Sequence, residues 1–189
     1  MGSISQIALG AAIGVAVMGR RTAPWKAALW GGVCGTLPDL DAFIDHGDPV
    51  RNMTLHRAES HALFWQTLAA PPIAACVAAL DRGPGQSLRA AFPRRLLAVW
   101  LILVTRALLD AMTVYGTQLA LPFTDRPFAV GSIFIIDPLY TLPLLLGLGL
   151  ALSGERWRRL RWNHAGLMLS TAYLAWSFAA QQHVTGIVR

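Results

Sequence analysis

The chain alternates between long runs nearly free of charge and short polar stretches. The apolar runs cover residues 4–19, 27–38, 62–80, 96–115, 129–152 and 165–180. Several approach the roughly 20 residues that a helix needs to cross a bilayer. The pattern therefore predicts an all-α, polytopic membrane protein with about six transmembrane helices. The second run is short by itself. Continued through Ile44 it reaches about 18 residues, near the lower limit for a crossing helix, and places Asp39 and Asp41 within its end. Pro38, Pro71-Pro72 and Asp137-Pro138 interrupt the second, third and fifth runs, so some of the helices are expected to be broken. Gly10/Gly14 and Gly31/Gly35 are small-xxx-small pairs of the kind that lets two helices pack closely. Residues 1–189 read as a single membrane-embedded domain without an internal repeat.

Composition agrees with that picture: 54% of the residues are hydrophobic and 14% charged, outside the range of an ordinary soluble domain. In a soluble chain the net charge of +6 would suggest nucleic acid. Here the basic residues fall in short clusters between apolar runs, which suits topology determinants and argues against a nucleic-acid partner. The segments 20–26, 82–95 and 154–161 carry three, four and four Lys or Arg, eleven of the sixteen in the chain. Six crossings put all three on one side, which should be cytoplasmic. The polar stretch at 45–61 and the connection at 116–127 then face outward. Residues 1–18 have no basic n-region and the first charges come later, which predicts an uncleaved first span. Cys34 and Cys76 both lie inside apolar runs and read as buried thiols.

Candidate chemistry concentrates between residues 36 and 63. Asp39, Asp41, Asp45, Asp48, Glu59, His46, His56 and His61 all fall there. Carboxylates and imidazoles at this density suit a hard or borderline divalent cation, and they equally suit a solvated loop. Topology adds Asp110 and Asp137, which the six-span reading brings to the same depth near the outer interface. Acids at one level repel one another unless a cation or Arg106 neutralises them. His56 and His61 are five residues apart, about 140° around a helix, so one is expected on the loop and the other at the start of the third span. Arg57 fits either a phosphate clamp or a snorkelling cation. Glu59 fits either a general base or a helix N-terminal carboxylate. Gly47 and Pro49 mark a turn, which leaves Asp45, His46 and Asp48 to the solvated loop.

Several motifs carry a resemblance: Pro38-Asp39-Leu40-Asp41, His56-Arg57-Ala58-Glu59-Ser60-His61, Leu109-Asp110 followed by Thr113 to Gln118, Pro122 to Arg126, and Ile136 to Tyr140. Together they resemble the YdjM-type family of membrane-bound metal-dependent hydrolases. The resemblance implies a multi-pass protein of the bacterial inner membrane, with a divalent-metal site facing the periplasm or cell exterior. It implies Asp39, Asp41, His56, His61 and Asp110 as ligands, zinc as the first choice of ion, and manganese or magnesium as alternatives. Arg57, Glu59 and Arg106 would assist catalysis, and the location points to a membrane lipid or lipid-linked phosphoester or ester as substrate. One position departs. Many relatives resemble Thr-His-x-x-x-Asp where this chain has Thr105-Arg106-Ala107-Leu108-Leu109-Asp110. Arginine has donors only and cannot ligate a cation. It is expected to pair with Asp110 or to hold a substrate phosphate. Two other classes of function suit the same residues: an ion, proton or lipid carrier, and a protein with a purely structural metal.

Overall fold

In the computed structural model, the described residues are 3–43, 45, 47–48, 58–81, 87–134, 137–153 and 159–188. Among them are six α-helices: α1 (Ser3–Met18), α2 (Pro24–Thr36), α3 (Leu63–Leu80), α4 (Leu88–Ala111), α5 (Pro138–Ser153) and α6 (Arg159–Val188). Two 3-10 helices, Leu37–Phe43 and Glu59–His61, lie between α2 and α3. No strand is present among these residues, only an isolated bridge between Thr117 and Phe128. The fold is all-α.

Small residues decide how the helices pair. Gly10 of α1 faces Gly31 of α2 so closely that a Cβ on Gly31 would lie 2.1 Å from the Gly10 carbonyl oxygen. Gly14 faces Ala27 in the same way, so the two helices run antiparallel. Gly147 and Gly166 do the same for α5 and α6. The hairpin of α3 and α4 is closed by a buried ion pair, with Arg95 Nη2 donating to the Asp81 carboxylate at 3.2 Å and to its carbonyl at 3.0 Å. Between the hairpins α1 packs against α4, α5 and α6. Ala8, Leu9, Ile13, Val99, Ile102, Leu103 and Leu144 form the buried core there.

Helix boundaries differ from the periodicity where capping chemistry intervenes. The second apolar run does not continue as one helix: α2 stops at Thr36 and the chain tightens into the 3-10 turn, because Pro38 has no N–H to give to the ladder. α4 starts earlier than the apolar run. Ser87 caps it, accepting from the Ala90 N–H, so Arg89, Arg94 and Arg95 are helical. α5 starts later, at Pro138, where Asp137 Oδ1 accepts the N–H groups of Leu139 (3.0 Å) and Tyr140 (3.4 Å). Pro71 and Pro72 leave α3 unbroken.

Of the described helices, α3 is the one both long and apolar enough to cross a membrane, and only 28% of its span is buried inside the protein. Residues 4–18 of α1 and all of α5 are apolar but shorter.

Candidate functional site at the α2–α3–α4 rim

The polar cluster is assembled from four stretches. The 3-10 turn after α2 supplies Asp39 and Asp41, and the turn before α3 supplies Ser60 and His61. The last turns of α4 supply Arg106 and Asp110, four residues apart on one helical face. Gln6 reaches in from α1. His61 and Asp110 are fully buried and Arg106 is 1% exposed, whereas Asp39 and Asp41 keep 29% and 14% of their side chains accessible. The cluster is thus closed below and open on the side of the two aspartates.

Arg106 sits at its centre. Nη1 lies 2.8 Å from His61 Nε2, while Nη2 donates to Asp39 Oδ1 and lies 3.7 Å from Asp110 Oδ2. Gln6 Nε2 donates to both oxygens of Asp110, at 3.0 and 3.3 Å. These contacts assign the histidine tautomer. A guanidinium can only donate, so Nε2 must be the acceptor and Nδ1 carries the hydrogen. Nδ1 then donates to Ser60 Oγ at 2.7 Å, and the serine hydroxyl donates to Asp41 Oδ2. Burial pushes the imidazole below the ordinary histidine value; the Asp110 carboxylate opposes this and the Arg106 charge adds to it. A neutral imidazole satisfies the bonds to arginine and serine, while Asp110 Oδ2 lies 3.4 Å from the same Nε2.

The site residues read from the sequence divide into three groups. Asp39, Asp41, His61, Arg106 and Asp110 come together. His56 and Arg57 lie outside the described residues, as does His46. Glu59 is exposed at the first position of its 3-10 turn and lines a cavity of about 210 Å³ with Ser60, Gln66, Trp65, Pro38 and Leu103. Gln66 Nε2 donates to the Ser60 carbonyl at 3.1 Å, and its Oε1 is buried with no partner among the described residues. Asp45 accepts the Gly47 N–H at 2.9 Å, the turn expected for that segment. Asp137, expected at the same depth as the other acids, is the cap of α5 and accepts the Tyr173 hydroxyl at 2.8 Å.

Two members were not foreseen from the sequence. Gln6 carried a signal, being a primary amide inside an apolar helix, where an unpaired amide is costly. Ser60 stands within the His56–His61 motif, which assigns it no role of its own.

Whether a divalent ion fits this donor set can be tested on the residues themselves. The donors that face one another do so across the guanidinium. A divalent ion placed about 4 Å from that charge would be repelled by about 8 kcal/mol at an effective dielectric of 20. Arg106 Nη2 already takes the Asp39 oxygen, and Nη1 takes the imidazole lone pair. As arranged, the residues do not fit an added ion, and no group of three or more His, Cys, Asp or Glu among the described residues forms a metal site.

No curated protein and no solved structure shows significant similarity to the chain. A family model does, over residues 1–184. By that match the chain belongs to the YdjM inner membrane protein family.

Proposed function

We propose that the chain is a six-span protein of the inner membrane that hydrolyses a lipid-linked phosphoester or ester at the outer, periplasmic face. The antiparallel pairing of α1 with α2, α3 with α4 and α5 with α6 supports six crossings. α1 and α5, at 16 residues, are about 24 Å long and α2, at 13 residues, about 20 Å, and such short spans are accommodated by tilt of their longer neighbours and local thinning of the bilayer. The basic segments fall at the α1–α2, α3–α4 and α5–α6 connections, the end opposite the polar cluster, which supports a cytoplasmic basic face.

The observation that carries the hydrolytic reading is Ser60, whose hydroxyl bridges Asp41 and His61 on the open side of the cluster and lines the 210 Å³ cavity. A carboxylate within reach of a hydroxyl can take its proton as the oxygen attacks a phosphoryl or acyl centre. In this reading Asp41 takes the Ser60 proton as Oγ bonds to the phosphoryl or acyl centre and the bond to the departing oxygen breaks. That oxygen leaves with the proton, water then releases the group from Ser60 by the reverse path, and His61 orients Ser60 throughout. Arg106 fixes the tautomer of His61 and neutralises the neighbouring acids. The test is release of phosphate or alcohol from a polyprenyl pyrophosphate, a phospholipid and a lipid ester by the purified protein in micelles. Turnover should fall at least about 100-fold in Asp41→Asn and Ser60→Ala. Equal rates in wild type and both variants would refute it.

A second reading has its own observation. Hydrogen bonds and close polar contacts run without a break from the partly exposed Asp41, through Ser60 and His61, to the fully buried Asp110, whose Oδ2 lies 3.4 Å from His61 Nε2. Such a chain suits a proton path. In proteoliposomes carrying a pH-sensitive dye, proton entry abolished by Asp110→Asn, with no lipid turnover, would favour it.

A further inference from the structure

We infer that the cavity beside Ser60 receives the chain of a lipid carrying a hydrogen-bond donor, a hydroxyl or an amide N–H, close to its scissile bond. The Gln66 amide oxygen selects for that donor. The inference rests on the reading of Ser60 as the reacting end, but its first readout is binding, so the two can fail separately.

The cavity is polar at one end and apolar along the rest. Glu59 and Ser60 stand in the turn before α3, and Gln66 follows one turn into the helix. Beyond it the lining is Ala69 and Ile73 of α3, with Leu103 of α4. Gln66, Ala69 and Ile73 share one helical face, being spaced by three and seven residues. From Leu63 to Ile73 the helix rises about 15 Å, half the hydrocarbon thickness of a bilayer. The cavity thus lies along the direction of a lipid chain. Trp65, which also lines it, is 41% exposed, and α3 is largely unburied by the protein, so the cavity adjoins the lipid-facing side.

Gln66 gives this slot a chemical preference. Its residue is only 3% exposed, in an otherwise apolar helix. The Ser60 carbonyl can only accept, so at 3.1 Å it takes the amide nitrogen and fixes which way the amide is turned. Oε1 is thereby held next to the Ser60 main chain, buried and with no partner among the described residues. A buried acceptor without a donor is costly, and a plain hydrocarbon chain laid beside it cannot offset that cost. A hydroxyl or amide N–H on the guest can. Sites built to hydrogen-bond a substrate group reject analogues lacking it more strongly than apolar pockets reject a missing methylene. Glu59, exposed at the same rim, disfavours a head group of high negative charge. The fitting class is therefore an N-acylated or hydroxylated lipid with a zwitterionic or neutral head.

The experiment measures binding to the full chain in detergent micelles, with sphingomyelin and phosphatidylcholine of matched chain length as probes. They share a head group, and only sphingomyelin carries an amide N–H and a hydroxyl close to the phosphate ester. Sphingomyelin should bind at least about ten-fold tighter. Gln66→Met, which keeps the length without the acceptor, should bring the two affinities within about two-fold. N-methyl and O-methyl sphingomyelin identify the donor, as the one whose blocking removes the preference. Equal binding of the two lipids by wild type would overturn the inference, even if both are hydrolysed. So would a preference that persists in folded Q66M or survives both blocks together. A preference lost in Q66M, without turnover of either lipid, upholds the inference while refuting hydrolysis. If Q66M does not fold, Ala69→Leu, which fills the slot below Gln66, takes its place. Sphingomyelin affinity should then fall at least about ten-fold, and an unchanged affinity overturns the inference.

Discussion

Replacing Arg106 with methionine tests whether the buried cluster is held by charge. The side chains are similar in reach, so the change removes the cation and little volume. Asp110 stays fully buried, with Gln6 still donating to it. At 3.7 Å and an effective dielectric of 20, the lost attraction between Arg106 and Asp110 is about 4.5 kcal/mol. Asp39 also loses a partner, but water reaches it and screens much of that loss. Removing one partner of a buried pair typically costs about 3–5 kcal/mol. There is a ceiling as well, since a stranded carboxylate can take up a proton. For an ordinary carboxylate that costs about 4 kcal/mol at pH 7 and about 1.5 kcal/mol at pH 5. The expected loss in R106M is therefore about 3–4 kcal/mol at pH 7, shrinking by about 2 kcal/mol or more at pH 5. Asp110→Asn in the same background should restore most of it at pH 7, because the two defects share one cause. Reversible unfolding in mixed SDS–detergent micelles, followed by helical circular dichroism, measures all four proteins. If the two single losses simply add in R106M/D110N, or the R106M loss does not change with pH, charge is not what holds the cluster.

Four further outcomes check other parts of the structure. Gly31→Ala would push a Cβ to 2.1 Å from the Gly10 carbonyl oxygen and should cost about 1–3 kcal/mol or more in the same unfolding assay. Gly149→Ala on α5, where nothing lies within 4 Å, should instead be neutral or stabilise by up to about 1 kcal/mol. Asp137→Ala removes the cap of α5 and the acceptor for Tyr173 and should cost about 1–2 kcal/mol in the same unfolding assay. For topology, single cysteines at Phe123 and Arg89, in a chain whose two native cysteines are replaced, should label with impermeant maleimide on opposite sides of the membrane. Labelling of both from the same side would refute the six-span orientation.

Much of the helical framework is legible in the sequence because the apolar runs are long and their interruptions chemically distinct. The glycine pairs at Gly10/Gly14 and Gly31/Gly35 announced close packing, and α1 and α2 use them against each other. What hydropathy does not register is where hydrogen-bond donors run out. Pro38 splits the second run into a helix and a 3-10 turn, and this is what swings Asp39 and Asp41 off the helix and toward His61. Asp137 shows the converse. Its rank as a site acid came from its depth and from the break at Pro138, and its neighbours Leu139 and Tyr140 recruit it as a cap.

Arg106 marks the limit of that legibility most sharply. Read along the helix, its evident partner is Asp110, because four-residue spacing is the one contact that periodicity guarantees. In the fold that pair is present but long, at 3.7 Å, while the closest contacts go to His61 and Asp39, which are 45 and 67 residues away. The reason is geometric. A guanidinium presents five N–H groups in one plane, and a single carboxylate on its own helix cannot use them all. Once α2 and α3 deliver an aspartate and a lone pair to the same plane, the fork turns toward them. Gln6 completes Asp110 from the other side. Each carboxylate in the cluster is then held by a donor from a different element, so the charges that equip the site for chemistry are also what fastens α2, α3 and α4 together at that end. A substitution at Arg106 should for that reason register in stability as well as in activity.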